Sequence, residues 1–508
     1  MPSPGFLFSG GSMSLFSQTL RTSYSSLWTA AQPLLRRHKR LQHGFEARLV
    51  PPGWPGFAAQ PDNQHGLTPL RPPLWIQAAS GGESTLVPPL VEAVRRTLAE
   101  AHSPAASPKN RTPNGLLPVL ATTCTRQGMD ILEKNIPRLV SGGPFAANYF
   151  PLDSPPLMAK AFRQSRANYA VLLETELWPG FMHEAARAGV PYAIINARMT
   201  EKTFAIYQKF RTFFKAHAPA FVAATTQESA DRFSRLFPTP VLLMPNIKFD
   251  LAHNALETTF ANEKAVGEPA YQQFTDRAAF GIPSNLPLAL LASVRKEEES
   301  LLVPGLSAFL QTRVANTDAC LVIAPRHLER VPAWELACAA QGIPYALRSH
   351  GAEALAARPR VIIWDVFGEL ATVYGMADAV FVGGSLAPLG GQNFLEALAA
   401  GHRPVTGPSW HNFAWVGDGL FSQGLVAPKP DAHAVWGALA QALALRLAGL
   451  DSLAPEAWDT QRAEQSSQIQ ESFVRWLTPL CGGSKLAGEL VAEKLLLAET
   501  SPPEAENS

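Results

Sequence analysis

At 508 residues the chain is too long for a single core, so two domains of ordinary size with appendages are expected. A hydrophobic content of 46% with 17% charged residues describes a soluble, globular protein, and a net charge of +1 excludes the basic excess typical of a nucleic-acid binder. Cys124, Cys320, Cys338 and Cys481 are scattered, with neither metal-ligand spacing nor the density of a disulfide framework, which suits a reducing compartment.

Residues 1–50 form a first segment. Its start, 1–14, is rich in Gly and Ser and is expected to be disordered, with Met13 as an alternative start. From Leu15, apolar residues Leu20, Tyr24, Leu27, Trp28, Ala31, Leu34 and Leu35 recur at helical spacing, and Arg36-Arg37-His38-Lys39-Arg40 follow. The segment is too polar to span a bilayer. Two readings stay open: an amphipathic helix lying on a membrane with its basic run on anionic headgroups, or a helix packed on the protein with a solvated charge run. A basic run that follows the apolar stretch is unlike a cleaved signal peptide. Prolines clustered at 51–73 and 104–118 mark loops.

A first domain is expected over 74–250. Strands are predicted at 74–80, 116–123, 169–173, 192–196 and 221–224, with helices between them, including one packed through Leu86, Leu90, Val91 and Val94. That alternation predicts an α/β fold with a parallel, doubly wound sheet. Ligands bind such sheets beyond the carboxyl ends of the strands, where Ser80, Gly82 and Glu83, then Glu174 and Glu176, then Asn196 and Arg198 stand. Asn246-Ile247-Lys248-Phe249-Asp250 follows the last short strand, and the run 251–285 reads as an interdomain linker. A second domain over 286–480 restarts with strands at 288–292 and 320–324, and Val361-Ile362-Ile363-Trp364-Asp365 then leads to Phe367-Gly368-Glu369-Leu370. The acids Glu297, Glu298 and Glu299 open a helix whose dipole favours them. Residues 481–508 read as a C-terminal helix and a loose tail.

The most informative stretch is Phe381-Val382-Gly383-Gly384-Ser385 through Gly390-Gly391-Gln392-Asn393-Phe394-Leu395-Glu396. A buried strand meets a glycine-rich turn and then a helix. Glycines allow close approach of the backbone to an anion, and a helix start offers unpaired N–H groups, so the stretch is read as a phosphate cradle. Asn393 and Glu396, three apart on one helical face, place a carboxylate where it can accept the hydroxyls of a ribose. A plain tight turn with an acid at the helix start is the alternative.

These residues resemble the 3-deoxy-D-manno-octulosonic acid (Kdo) transferases of lipopolysaccharide synthesis. The resemblance runs through Ala79-Ser80-Gly81-Gly82-Glu83, Pro151-Leu152-Asp153, Leu173-Glu174-Thr175-Glu176-Leu177-Trp178-Pro179, Ile195-Asn196-Ala197-Arg198-Met199, Asn246 to Asp250, Pro325-Arg326-His327, Gly368-Glu369-Leu370 and the long glycine motif, over roughly 74–420. Departures fall at Gly81, Gln392, Val294 to Lys296 and Trp364 to Val366. The resemblance implies a GT-B fold, two Rossmann-like parallel-sheet domains facing a cleft, the first binding acceptor and the second the CMP-sugar. It implies Glu83 as general base, with Glu174 and Lys248 stabilising the transition state. It places CMP on Pro325, Arg326, Gly368, Glu369, Leu370, Asn393, Phe394, Leu395 and Glu396, with Gly384 and Ser385 supplying donors. The implied reaction is inverting transfer of Kdo from CMP-Kdo to a lipid A precursor at the cytoplasmic leaflet of the inner membrane, with no cofactor, no metal and no nucleic acid. Trp178 is read as a packing residue. A GT-B enzyme or epimerase using a UDP-sugar, or an inactive membrane-docked assembly protein, are the rival readings.

Overall fold

The computed structural model describes residues 15–38, 41–54, 71–101, 116–254, 256, 277–283, 285–314, 317–448 and 455–500. The expected disordered start, most of the expected linker and the tail beyond residue 500 lie outside the described residues. The chain divides into two compact units, Met1–Leu251 with Cys481–Ser508, and Ala252–Leu480.

The first unit is built on seven parallel strands, β1 (Leu74–Ala78), β2 (Val119–Thr123), β3 (Phe145–Tyr149), β4 (Tyr169–Leu173), β5 (Tyr192–Ala197), β6 (Phe221–Ala224) and β7 (Val241–Leu243), in the order β3-β2-β1-β4-β5-β6-β7. All five residues of β1, and all of β2, β4 and β5, are buried, as strands covered on both faces require. Period-2 alternation sends Trp75, Leu120 and Leu172 into one core, with Phe150, Phe162 and Phe181, and sends Leu74, Ile76, Val119 and Val171 into the other. Strand β3 is not among the predicted ones: it is a half-buried edge whose Ala-Ala-Asn centre carries little strand propensity. The order reverses between β1 and β4, so the crevice beyond their carboxyl ends is the topological switch point.

The helix Gly483–Thr500 belongs to this first unit. Ala487, Val491, Ala492 and Leu495 join Leu90, Val91 and Val94 of the helix Val87–Ala101 in one core. Gly488 makes the approach possible, since a Cβ there would lie 2.6 Å from that of Ala93. Asp250 fixes the start of this helix by accepting from the N–H groups of Gly482 (2.6 Å) and Ser484 (2.5 Å).

The N-terminal helix Leu15–Arg37 touches the helix Pro155–Ser165. Tyr24 turns inward, its hydroxyl donating to Asp153 (2.8 Å), whereas Leu27 and Leu34, one heptad apart, are 64% and 74% exposed. The helix thus combines a packed edge with an exposed apolar one. Among the described residues no helix is long and apolar enough to cross a membrane.

The second unit repeats the theme. Its parallel strands are β8 (Leu288–Val294), β11 (Cys320–Pro325), β12 (Tyr345–Leu347), β13 (Val361–Ile363), β14 (Ala379–Val382), β15 (Val405–Thr406) and β16 (Ala427–Pro428), ordered β12-β13-β11-β8-β14-β15-β16. A two-residue hairpin, β9 (Arg313–Val314) with β10 (Thr317–Asp318), stands apart. Here the switch point lies between β8 and β14. Asp378, fully buried, locks the start of β14 to that of β8: it accepts from Arg277 Nη2 (3.0 Å), Arg462 Nε (2.7 Å) and the Leu288 N–H (2.9 Å). Arginine charge holds its carboxyl at about 2, against the upward push of burial. Two Rossmann-like parallel sheets, the α/β GT-B-type expectation, are therefore present, one in each unit.

Candidate active site

The switch point of the first unit collects carboxylates. Ser80 ends the chain's exit from β1 and accepts from the Glu83 N–H (3.3 Å), opening a single helical turn, Gly81–Ser84. That turn aims Glu83 back at its own start, where Oε2 accepts from the Ala79 N–H (2.6 Å) and Oε1 from the Ser80 hydroxyl (3.0 Å). Glu83 is 8% exposed. Burial, then the nearby charges of Glu176 and Glu174, push its carboxyl up to about 7, against the pull of the two donors. A carboxylate poised there exchanges a proton readily near neutrality.

Glu174 follows β4 with φ +59, and Asn196, next to last in β5, has φ +56, the left-handed region that few side chains other than Asn adopt. The turn at Glu174 brings its carboxylate against the Lys248 ammonium (2.5 Å) and within 3.7 Å of Arg198 Nη1. Asn196 organises this group: its Oδ1 accepts from the Ile247 N–H (2.9 Å) and its Nδ2 donates to Asn246 Oδ1 (3.1 Å), which also accepts from the Lys248 N–H (3.0 Å). The ends of β4 and β5 and the loop after β7 are thereby pinned to one another. Glu176 makes no hydrogen bond or ion pair among the described residues; burial and then Glu174 raise its carboxyl. Trp178 packs on Phe150 (5.3 Å between rings) in the core. Asp153 accepts from the Gly180 (2.8 Å) and Phe181 (2.7 Å) N–H groups, seating the helix Pro179–Arg187 that follows the Glu-Trp-Pro stretch.

In the second unit, Pro325 ends β11 and Arg326 follows half-buried, without a hydrogen bond or ion pair from its side chain among the described residues. Its charge acts on Glu396, whose carboxyl is raised by burial and drawn back by Asn393 and Arg326. Asn393 Nδ2 donates to Glu396 Oε1 (2.8 Å), as their spacing anticipates. Phe394 is buried against Phe413 and Phe421, and Leu395 opens a five-residue helix, Leu395–Ala399, shorter than the apolar spacing suggests. Gly368 has φ +91; Glu369 pairs with Arg348 (3.3 Å), which stacks on Phe280 and Trp364; Leu370 starts the helix Leu370–Met376. Phe367, beside them, is 79% exposed.

The glycine-rich turn differs from the cradle read in the sequence. The N–H groups of Gly384, Ser385 and Leu386 all donate to the Glu298 carboxylate, and the Ser385 hydroxyl, 1% exposed, donates to the Val382 carbonyl and accepts from the Gly407 N–H. Donors expected for phosphate are satisfied within the protein. Among the described residues no group of three or more His, Cys, Asp or Glu is placed to hold a metal ion.

Residues 55–251 match the family described as 3-deoxy-D-manno-octulosonic-acid transferase (kdotransferase). A 3-deoxy-D-manno-octulosonic acid transferase of Bordetella pertussis is 27% identical over 415 residues, 80% of this chain and 88% of that one. That of Haemophilus influenzae is 26% identical over 363 residues, covering 69% and 74%. Over most of its length the chain is similar to Kdo transferases. It is accordingly an enzyme, a glycosyltransferase. Among solved structures, the C-terminal CMP-Kdo binding domain of WaaA from Acinetobacter baumannii aligns at 26% identity over 38% of this chain and 92% of its own, with a TM-score of 0.31.

Within this Kdo transferase relative, the structure gathers Glu83, Glu174 and Lys248 at one switch point. Three participants were not singled out for these tasks in the sequence. Asn196 and Asn246 tie the loops together, which the pairing of two asparagine motifs after strands could have suggested. Glu298 sits in a run of acids that reads as ordinary helix-start charge.

Proposed function

We propose that this enzyme transfers Kdo from CMP-Kdo to a hydroxyl of a lipid A precursor, with inversion at the anomeric carbon and without a metal. The observation that carries the reading is the Glu83 carboxyl, buried, held by two donors and pushed up to about 7. As the acceptor oxygen bonds to the anomeric carbon, Glu83 takes its proton, and the bond from that carbon to the CMP phosphate oxygen breaks with its electron pair leaving on CMP. Glu174 supports the developing positive charge on the sugar, and Lys248 holds Glu174 in place while contributing its own charge. Arg326 meets the departing phosphate, and Glu396, oriented by Asn393, accepts from the ribose hydroxyls. Pro325, Gly368, Glu369, Leu370, Phe394 and Leu395 shape the rest of the nucleotide site. The exposed Leu27 and Leu34 edge of the N-terminal helix supports peripheral attachment at the cytoplasmic face of the inner membrane.

The test joins binding to turnover. CMP, and not UDP, raises the melting temperature of both wild type and Glu83→Gln, while the variant loses about 10² to 10⁴ in kcat for Kdo transfer to a lipid A precursor. Near-normal turnover of the variant, or protection by UDP alone, refutes the assignment.

A further inference from the structure

The switch point of the second unit, where an open parallel sheet ordinarily receives its ligand, already contains an anion. Glu298 lies on the short helix Lys296–Leu302 that follows β8, and its neighbour in the sheet, β14, runs into the glycine-rich turn. Glu298 Oε2 accepts from the N–H groups of Gly384 (2.6 Å) and Arg295 (2.9 Å), and Oε1 from those of Ser385 and Leu386 (2.9 Å each). Its side chain is 0% exposed, and no Lys, Arg or His pairs with it among the described residues. Four backbone donors converging on one carboxylate reproduce the contacts that such a nest makes with a phosphate. The fit admits only glycine at 383, where a Cβ would stand 2.9 Å from Glu298 Oε2 and 2.8 Å from the Ser293 carbonyl oxygen. The turn then folds back on itself, Gly391 N–H donating to the Gly384 carbonyl (2.7 Å) and Gln392 N–H to that of Gly383 (3.0 Å), which leads directly to Asn393 and Glu396.

We propose that Glu298 is a resident anion: a positioning residue that fills the amide nest of the glycine turn, sets the course of the chain to Asn393 and Glu396 for the donor nucleotide, and leaves the nucleotide phosphate to be met by Arg326 instead of by the amides of 384–386. The inference rests on the CMP-Kdo reading for the identity of the nucleotide, and not for the occupancy of the nest.

Hydrogen exchange on the full-length wild type, resolved to single amides, tests it without a variant. Amides 384–386 are expected to exchange at least about a hundredfold more slowly than unstructured chain in the absence of nucleotide. Saturating CMP leaves them unchanged while slowing exchange around 326, 368–370 and 393–396. In Glu298→Gln, which keeps the shape but turns an NH2 group toward two of the four N–H donors, the same amides exchange at least tenfold faster. The KM for CMP-Kdo rises about tenfold while that for the acceptor stays put, a split that general loss of stability does not produce. Amides 384–386 that are open without CMP and become protected by it overturn the proposal, as does a folded Glu298→Gln with unchanged donor KM. Failure of the CMP-Kdo reading looks different: CMP then slows exchange nowhere in the second unit, whereas slow amides without nucleotide that are released in Glu298→Gln still support the resident anion.

Discussion

Replacing Glu176 by Gln isolates the electrostatic part of the Glu83 environment. The Glu83 carboxyl moves from its usual 4.5 to about 7, with burial the largest cause, the Glu176 charge second and Glu174 third. Two donors oppose them, so loss of the Glu176 charge lowers the Glu83 carboxyl while burial still holds it above its usual value. The sign follows from the role. A general base works deprotonated, so kcat/KM rises with pH through its pKa, and the acid limb of wild type is expected near 7. With the neighbouring charge gone, the limb moves to lower pH, and each half unit of movement would raise the activity at pH 6, relative to the plateau, roughly two- to threefold. The assay is kcat/KM for Kdo transfer between pH 5 and 9, normalised to each variant's own plateau, so that any contact of Glu176 with substrate drops out. Glu83 and Glu176 titrate as an interacting pair in wild type, and the variant should show one simple ionisation on this limb. A normalised limb that stays at 7 or moves upward refutes both the proximity argument and Glu83 as the titrating base.

Two further outcomes concern the scaffold. Asp378→Asn leaves Arg277 and Arg462 buried without a counter-charge and should cost about 3 to 5 kcal/mol, seen as a fall of roughly 10 °C in the melting of the second unit. Because this carboxyl sits at about 2 when folded, its stabilisation is present above pH 4 and is lost as pH falls through 2, a loss the variant should not show. Gly488→Val forces a side chain into Ala93 and is expected to destabilise the first unit by about 1 to 3 kcal/mol; an unchanged melting curve would contradict the packing of the C-terminal helix on Val87–Ala101.

Much of the fold was legible because the strands are short apolar runs followed by amphipathic helices, a pattern that local chemistry alone produces. Strands β1, β2, β4, β5 and β6 follow from it. Strand β3, whose residues are neither β-branched nor alternating, does not, since only pairing with β2 makes it a strand. The spacing of Asn393 and Glu396 likewise foretold a contact within one turn.

What the sequence determined by itself was local: periodicity, the glycines at positive φ, and the motifs whose likeness to a known family carries the chemistry. Contacts between distant segments were decided by tertiary structure. Burial and two like charges from another loop raise Glu83 to about 7, Asp250 captures a helix more than two hundred residues away, and Glu298 enters a turn some eighty residues downstream. The physical reason is that desolvation and Coulomb energy depend on distance in space, which the order of residues does not express until the sheets have formed.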